Sequence, residues 1–439
     1  MATIRPFHGL RYDPQKVGDL SQVITMPYDR IHAAEQASYY ALSPYNFVRI
    51  IQGLREPDEP TNNVYTRANC YKQTWLTEGV MAREPRPVLY VLEQRFTTPD
   101  GKTHVRRGFT AALKLTRFDE GVILPHERTL SGPKIDRLNL TRATKTAWGH
   151  IFILYPDADN AIDALLQPYL ESHPPFVLRE QVIEPAVEQR FWVVEDEAIL
   201  AAVVEAMEPK RNLIIADGHH RYETALNYRD EMRAKFPDAP AEAAFNYVMA
   251  TFVSMSDPGL VILPTHRLIH DYGRMSGTQL LEAIAPYFEV EPMADRAAME
   301  AALVQAEPEH PRFGFYDGRY HLLTLKSLAA MNDLAPDRDP AWRALDVAVL
   351  HTIILEHVMG LTKESIARKE NIDYLRDPAP GYAAVDAGKA DFLFLLNGTR
   401  MEQVRACTAA GEKMPQKSTD FYPKIVSGLV ALSLEGTMA

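Results

Sequence analysis

The sequence predicts an α+β fold with a mixed sheet core, additional helices and a C-terminal α+β region. Three observations point there. Short β-rich runs alternate irregularly with stretches of helical periodicity. The 439 residues are 46% hydrophobic and 24% charged, as in ordinary globular chains. The pattern also changes character after about His270, and at roughly 100–200 residues per domain two or three domains are expected. We therefore expect one domain over 1–270 and a second over 271–439, with the boundary falling near 265–280.

The first hundred residues mix turns and helices. In "ITMPYDRI" Pro27 biases Met26 toward extended backbone, so this segment runs extended into a turn. "SPYNFVRI" leads into alternating Phe47, Val48 and Ile50. Val64, Cys70, Trp75 and Leu76 recur at helical spacing. Two β-rich runs flank Pro99-Asp100-Gly101-Lys102 and predict a hairpin. Val122–Thr144 reads as a loop followed by a helix.

His150–Asp157 and Arg190–Asp196 read as strands, and "EDEAILAAVVEAM" as an amphipathic helix. Leu213–Ala216 is a buried strand, and from His220 Tyr222, Ala225, Leu226, Met232 and Phe236 share a helical face. Tyr247–Val253 and Leu260–Leu263 are further strands. Beyond them come a capped helix at "SGTQLLEAIAPYF", a hairpin around Asp317-Gly318, and a helix stopped by Gly360. A strand follows at Ala390–Gly398, then a helix, a polar loop and a last apolar segment.

Composition excludes several classes. A net charge of -11 argues against a nucleic-acid surface, which needs a basic stripe. The two cysteines, Cys70 and Cys407, form neither a disulfide framework nor a metal-ligand pair, which suits a reducing compartment. No run reaches the ~18 apolar residues of a membrane span. "MATIRPFHGLRYDPQ" has no apolar signal region, so the cytoplasm is the expected location. There is no GxxxxGK[ST], HExxH, GxSxG or strand-linked GxGxxG.

Four stretches can carry chemistry. In "IIADGHHRYETA", Gly218 lets backbone approach a ligand, and a helix starting just after it favours an anion. His219, His220 and Arg221 add donors, and Arg221 can hold two phosphate oxygens. Asp217 can cap the helix, orient a histidine or hold a metal. "LPHERT" and "SGPKIDR" place His126, Glu127, Arg128, Lys134 and Arg137 in a proline-bounded, charge-dense loop. "MPYDRI" offers Asp29 as a general base. "MPQKSTDFYPK" strings Lys417, Ser418, Thr419, Tyr422 and Lys424 between prolines, and "LPTHR" puts His266 and Arg267 after a strand.

Together these blocks resemble one family. "MPYDRI", "SPYNFVRI", "LPHERTLSGPKIDR", "ADGHHRYETA", "LPTHR" and "GEKMPQKSTDFYPKIVSGL" look like the blocks of domain-of-unknown-function family 1015 of bacteria and archaea, across nearly the whole chain. Asp420 stands where that family more often has an aromatic residue. The Asp-Gly-His-His-Arg block is in turn similar to a motif of the ParB/sulfiredoxin-like fold, which includes free serine kinases.

The resemblance implies a ParB/sulfiredoxin-like sheet and a phosphotransferase acting on a small hydroxylated metabolite, with free L-serine as leading acceptor. ATP or ADP would be the donor, with Mg²⁺. Asp217, Gly218 and Arg221 would cradle phosphates, aided by Arg128, Lys417, Ser418 and Thr419 from the Gln416–Lys424 loop of the second domain. Asp217 would also touch the metal. His219 and His220 would assist catalysis, and Asp29 or Glu127 would take the hydroxyl proton. No cysteine adjoins the motif, which discounts sulfiredoxin chemistry. Two rivals stay open: a phosphoserine-type phosphatase and a non-enzymatic nucleotide-binding regulatory module. Neither nucleic acid nor membrane is an expected partner, and the oligomeric state is left open.

Overall fold

The computed structural model describes residues 1–57, 59–127 and 132–438. The chain folds as two units: Met1–Pro125, Thr129–Leu260 and Pro423–Ala439 form the first, His126–Arg128 and Val261–Tyr422 the second. The division expected near 270 therefore lies at Leu260, and the last segment returns to the first unit. The physical reason is its apolar run: Val426, Leu429, Val430, Ala431 and Leu432 are all buried. Leu432–Ser433 pairs with Thr146–Ala147, and Leu10 exchanges backbone bonds with Ala431 at 2.8 and 2.9 Å.

The first unit is built on a nine-stranded sheet. Its order runs Ile123–Pro125, Leu213–Asp217, Ile151–Tyr155, Tyr247–Ser254, Thr103–Lys114, Leu89–Thr97, Glu188–Val194 and Phe176–Arg179, with Ile4–Arg5 added against Thr103–Lys114. Leu213–Asp217 is parallel to Ile123–Pro125 but antiparallel to Ile151–Tyr155, and Ile151–Tyr155 is parallel to Tyr247–Ser254. The sheet is thus mixed, as expected.

The predicted hairpin is present, with Tyr90 opposite Thr110 and Thr97 opposite Thr103. One face carries Phe109, Ile153, Tyr155, Val203 and Tyr222 in a single core. A second core gathers Tyr12, Phe47, Trp75, Leu140 and Trp148. Its Val64–Thr77 helix is capped by Asn63, whose side chain accepts from the Tyr65 and Thr66 amides. The alternation at Phe47, Val48 and Ile50 is not extended chain: Val48–Ile51 is one helical turn with three buried residues. Three apolar residues in four, packed on both sides, fit a buried turn as well as a strand.

The second unit holds a six-stranded antiparallel sheet ordered Phe288–Met293, Tyr320–Leu325, Arg312–Tyr316, Phe392–Leu395, His266–Ile269 and Ile372–Leu375. Ser276 caps the expected helix through the Gln279 amide. His266 and Arg267 follow the strand Val261–Leu263, as expected, and open a strand of their own, His266–Ile269. The long helix before Gly360 changes pitch. Asp346–Val349 is α-helical and Leu350–Val358 is π-helical, with the Met359 amide bonded to the Ile354 carbonyl five residues back at 2.9 Å. Among the described residues no helix is long and apolar enough to cross a membrane.

Both units bury neutral histidines. Burial, then Arg221, pushes His150 down to about 3. Burial, then Arg267, pushes His266 down to about 4. In the unfolded chain each would take up a proton near 6.5. Their contribution to stability is therefore present above pH 6.5 and lost as the pH falls toward 4, by up to ~1.4 kcal/mol per pH unit and histidine. Urea titrations at a series of pH values should show a flat unfolding midpoint above pH ~7. The midpoint should decline below pH ~6.5, ahead of ordinary carboxylate titration.

Candidate functional site

The site forms where the strand Leu213–Asp217 hands over to the helix His219–Lys235. Leu213 to Ala216 are buried in the sheet. Opposite Ile151–Tyr155 the register shifts between Ile215 and Asp217, so Ala216 is an extra residue. Such a bulge re-aims the next side chain, here Asp217 at the strand end. Gly218 then turns the chain at φ +94°, and a Cβ built there would lie 3.2 Å from the Arg221 guanidinium carbon. Only glycine meets both conditions without strain.

No side chain caps the helix, whose first intrahelical bond joins the Tyr222 amide to the Gly218 carbonyl at 2.9 Å. A helix start of this kind favours an anion. Tyr222 locks the helix to the sheet: its hydroxyl donates to the Thr116 carbonyl at 2.8 Å and accepts from the Thr116 amide at 3.1 Å.

Arg221 is committed within the fold. Its guanidinium bonds the Asp217 carboxylate and the His150 carbonyl, and packs against Gly149 and Gly218. Burial works against its charge, but Asp217 and then Asp29 outweigh it. The bidentate grip on phosphate expected of Arg221 is therefore already spent on protein groups. The second cation on Asp217 is Lys424, 3.5 Å from Oδ1 and 12% exposed.

A buried polar network places Lys424. Arg106 bonds the Pro423 carbonyl and the Gln94 side chain, and Gln94 donates to the Lys424 carbonyl and to Gln189, each at 3.0 Å. The sequence carries no local signal for this pair, which joins positions 217 and 424.

Around this ion cluster sit Asp29, Tyr28 and His220. Asp29 is exposed, on the helical turn Tyr28–Arg30, and its charge acts on both His220 and Arg221. His220 is lowered from its ordinary value, first by burial and then by Lys134, which in turn pairs with Glu223. It is therefore neutral at pH 7 and can exchange hydrogen bonds without adding charge. Burial and then Asp29 push the Tyr28 phenol up, and Arg137 covers its ring at 4.1 Å. Beside Tyr28 and Arg221 opens a narrow cleft walled by Leu140, Trp148, Phe245 and Tyr247.

The sequence-derived candidates divide between the units. Asp29, Asp217, Gly218, His219, His220 and Arg221 belong to the first; Glu127, Lys417, Ser418 and Thr419 belong to the second. The Gln416–Lys424 loop is itself divided, with Pro423 and Lys424 in the first unit. Arg128 lies outside the described residues. In the second unit Thr419 bonds the His126 ring at 2.6 Å and Glu127 at 3.4 Å. Ser418 donates to the Pro415 carbonyl. Lys417 adopts φ +58° and accepts through its carbonyl from Arg267 at 3.0 Å.

Asp217 faces two cations, and among the described residues no group of three or more His, Cys, Asp or Glu is placed to hold a metal ion. A substitution at the turn tests this geometry. Gly218→Ala should cost about 1–2 kcal/mol through the left-handed backbone alone. It should also push the Arg221 guanidinium off Asp217. Urea unfolding reads the first effect; a shift of the Arg221 side-chain Nε–H resonance reads the second.

No curated protein matches the chain in sequence. Among solved structures, a free serine kinase in complex with AMP is 12% identical with a TM-score of 0.34, covering 71% of this chain and 88% of that one. A C-terminally truncated SbnI from Staphylococcus aureus is 11% identical with a TM-score of 0.33, covering 74% and 87%. A conserved hypothetical protein from Pyrococcus furiosus is 13% identical with a TM-score of 0.33, covering 71% and 92%. The family described as "Protein of unknown function (DUF1015)" matches residues 4–348, and this chain belongs to it.

Proposed function

We propose that the first unit is a phosphotransferase that moves a phosphoryl group onto the hydroxyl of a small metabolite, with free L-serine as leading acceptor and ATP or ADP as donor. One observation carries the reading. An uncapped helix start at Gly218-His219 is surrounded by Lys424, Arg221, the neutral His220 and the exposed carboxylate of Asp29. Phosphoryl transfer needs little more than positioning and neutralisation of charge. The choice of serine rests on the motif resemblance.

Each group has a role in this reading. The helix start and Lys424 receive the donor's phosphates, and Arg221 adds fixed positive potential from beneath. The acceptor oxygen attacks phosphorus while its proton passes to Asp29. The bond to the bridging oxygen breaks, and its electron pair leaves with the nucleotide. His220 orients the acceptor hydroxyl, and the buried His219 supports the turn.

We read Asp217 as the anchor of Arg221 and Lys424 rather than as a metal ligand, because both cations already neutralise its carboxylate. Among the described residues no group of three or more His, Cys, Asp or Glu is placed to hold Mg²⁺.

The test is direct. The full chain incubated with L-serine and ATP, ADP or pyrophosphate should form O-phosphoserine, followed by ³¹P NMR. Asp29→Asn should lower kcat about 10²-fold or more. Lys424→Met should cost about 10–100-fold in kcat/KM, the worth of a hydrogen bond to a charged group. Absence of turnover with every donor overturns the kinase reading. Phosphate released from phosphoserine without an acceptor would replace it with a phosphatase.

A further inference from the structure

The second unit contains a cleft that the phosphate corner does not use. Its back wall is the π-helical Leu350–Val358. Bonds from i to i+5 stack residues four and five apart, and such helices recur at functional sites. His351, Thr352 and Glu356 therefore share one face, and all three line the cleft. Lys363, Lys413 and Trp342 line the same cleft, which is ≈ 360 Å³ in volume and open to solvent.

The charges here are unevenly matched. Arg338 is tied to Glu412 and lies over Trp342 at 4.4 Å. Glu356 meets Lys363 only at 3.8 Å, with the lysine 78% exposed, so that pair is weak and screened. Lys413 is half-buried and has no acidic partner among the described residues. Its backbone is fixed, because its carbonyl accepts from the Trp342 indole at 3.1 Å. His351 is buried, and its Nε2 accepts from Arg267 Nε at 3.4 Å. The ring proton is therefore on Nδ1, a second neutral donor.

We propose that this cleft binds a free α-amino acid as a zwitterion, its carboxylate on Lys413 and its ammonium on Glu356. An unpaired lysine and a weakly paired carboxylate in one concave site satisfy both ends of such a ligand and leave no buried charge behind. The apolar floor of Trp342, Ile366 and Met414 takes the side chain. The site is independent of phosphoryl transfer in the first unit.

Saturation-transfer NMR on the full chain, with an equimolar mixture of the twenty L-amino acids at about 1 mM each, tests it. At least one amino acid should receive magnetisation. Its N-acetyl derivative and its decarboxylated amine should fail to displace it, a result that needs no variant. Lys413→Met and Glu356→Gln should each weaken binding about tenfold or more, whereas Asp29→Asn should not. Silence from the whole mixture overturns the proposal. So does displacement by the N-acetyl form, or binding lost only in Asp29→Asn, which would assign the amino acid to the phosphate corner instead.

Discussion

The half-buried pairing of Arg221 with Asp217 is the interaction on which the first unit's site depends. Moving a guanidinium out of water costs several kcal/mol unless its donors are met. Here one end meets a carboxylate and the other the His150 carbonyl. That arrangement requires the side chain to fold back against its own helix start. It can do so because Gly149 and Gly218 flank it, and a Cβ at either would approach Arg221 to 3.1 or 3.2 Å. The glycine of the motif and its arginine are thus one feature, and the bulge at Ala216 delivers the carboxylate to both.

The same logic explains why the chain's last segment belongs with its first. Asp217 and Arg221 neutralise each other, and Asp29 adds a further carboxylate nearby. Lys424 brings the second positive charge that balances it, and its backbone is held by Arg106 and Gln94 from inside the hairpin Leu89–Lys114. Arg106 is 1% exposed, with its guanidinium over the Phe152 ring at 4.7 Å. The 423–424 backbone therefore ends in a fully desolvated network, which accounts for the return of residues 423–439 to a sheet formed hundreds of residues earlier.

Much of this was legible in the sequence, for local reasons. The strands at 89–97, 103–114, 151–155 and 213–217 announce themselves by apolar runs, and the helix after Gly218 by its period. The strand-to-helix handover at Asp217-Gly218-His219-His220 was legible because an apolar run ends in Asp-Gly and a helical period follows. What escaped was non-local. The Asp217–Lys424 pair and the assignment of the tail depend on packing between distant segments. Val48–Ile51 defeated period-based reading because a four-residue run with three buried apolar positions fits helix or strand equally. The change to π pitch at Leu350 leaves no mark in composition, since both pitches bury the same leucines and isoleucines.

The corner also divides labour between its two cations in a way that their chemistry dictates. A guanidinium is planar and rigid, so once its fork is satisfied by protein it acts as a fixed charge. An ammonium on a four-carbon stem is a point charge that can turn toward a new partner. Arg221 is bonded at both ends, whereas Lys424 stands 3.5 Å from Asp217 Oδ1, beyond a close hydrogen bond. The two cations on Asp217 thus differ in kind: Arg221 holds the turn in shape through its fixed fork, and Lys424 adds a point charge beside the same carboxylate.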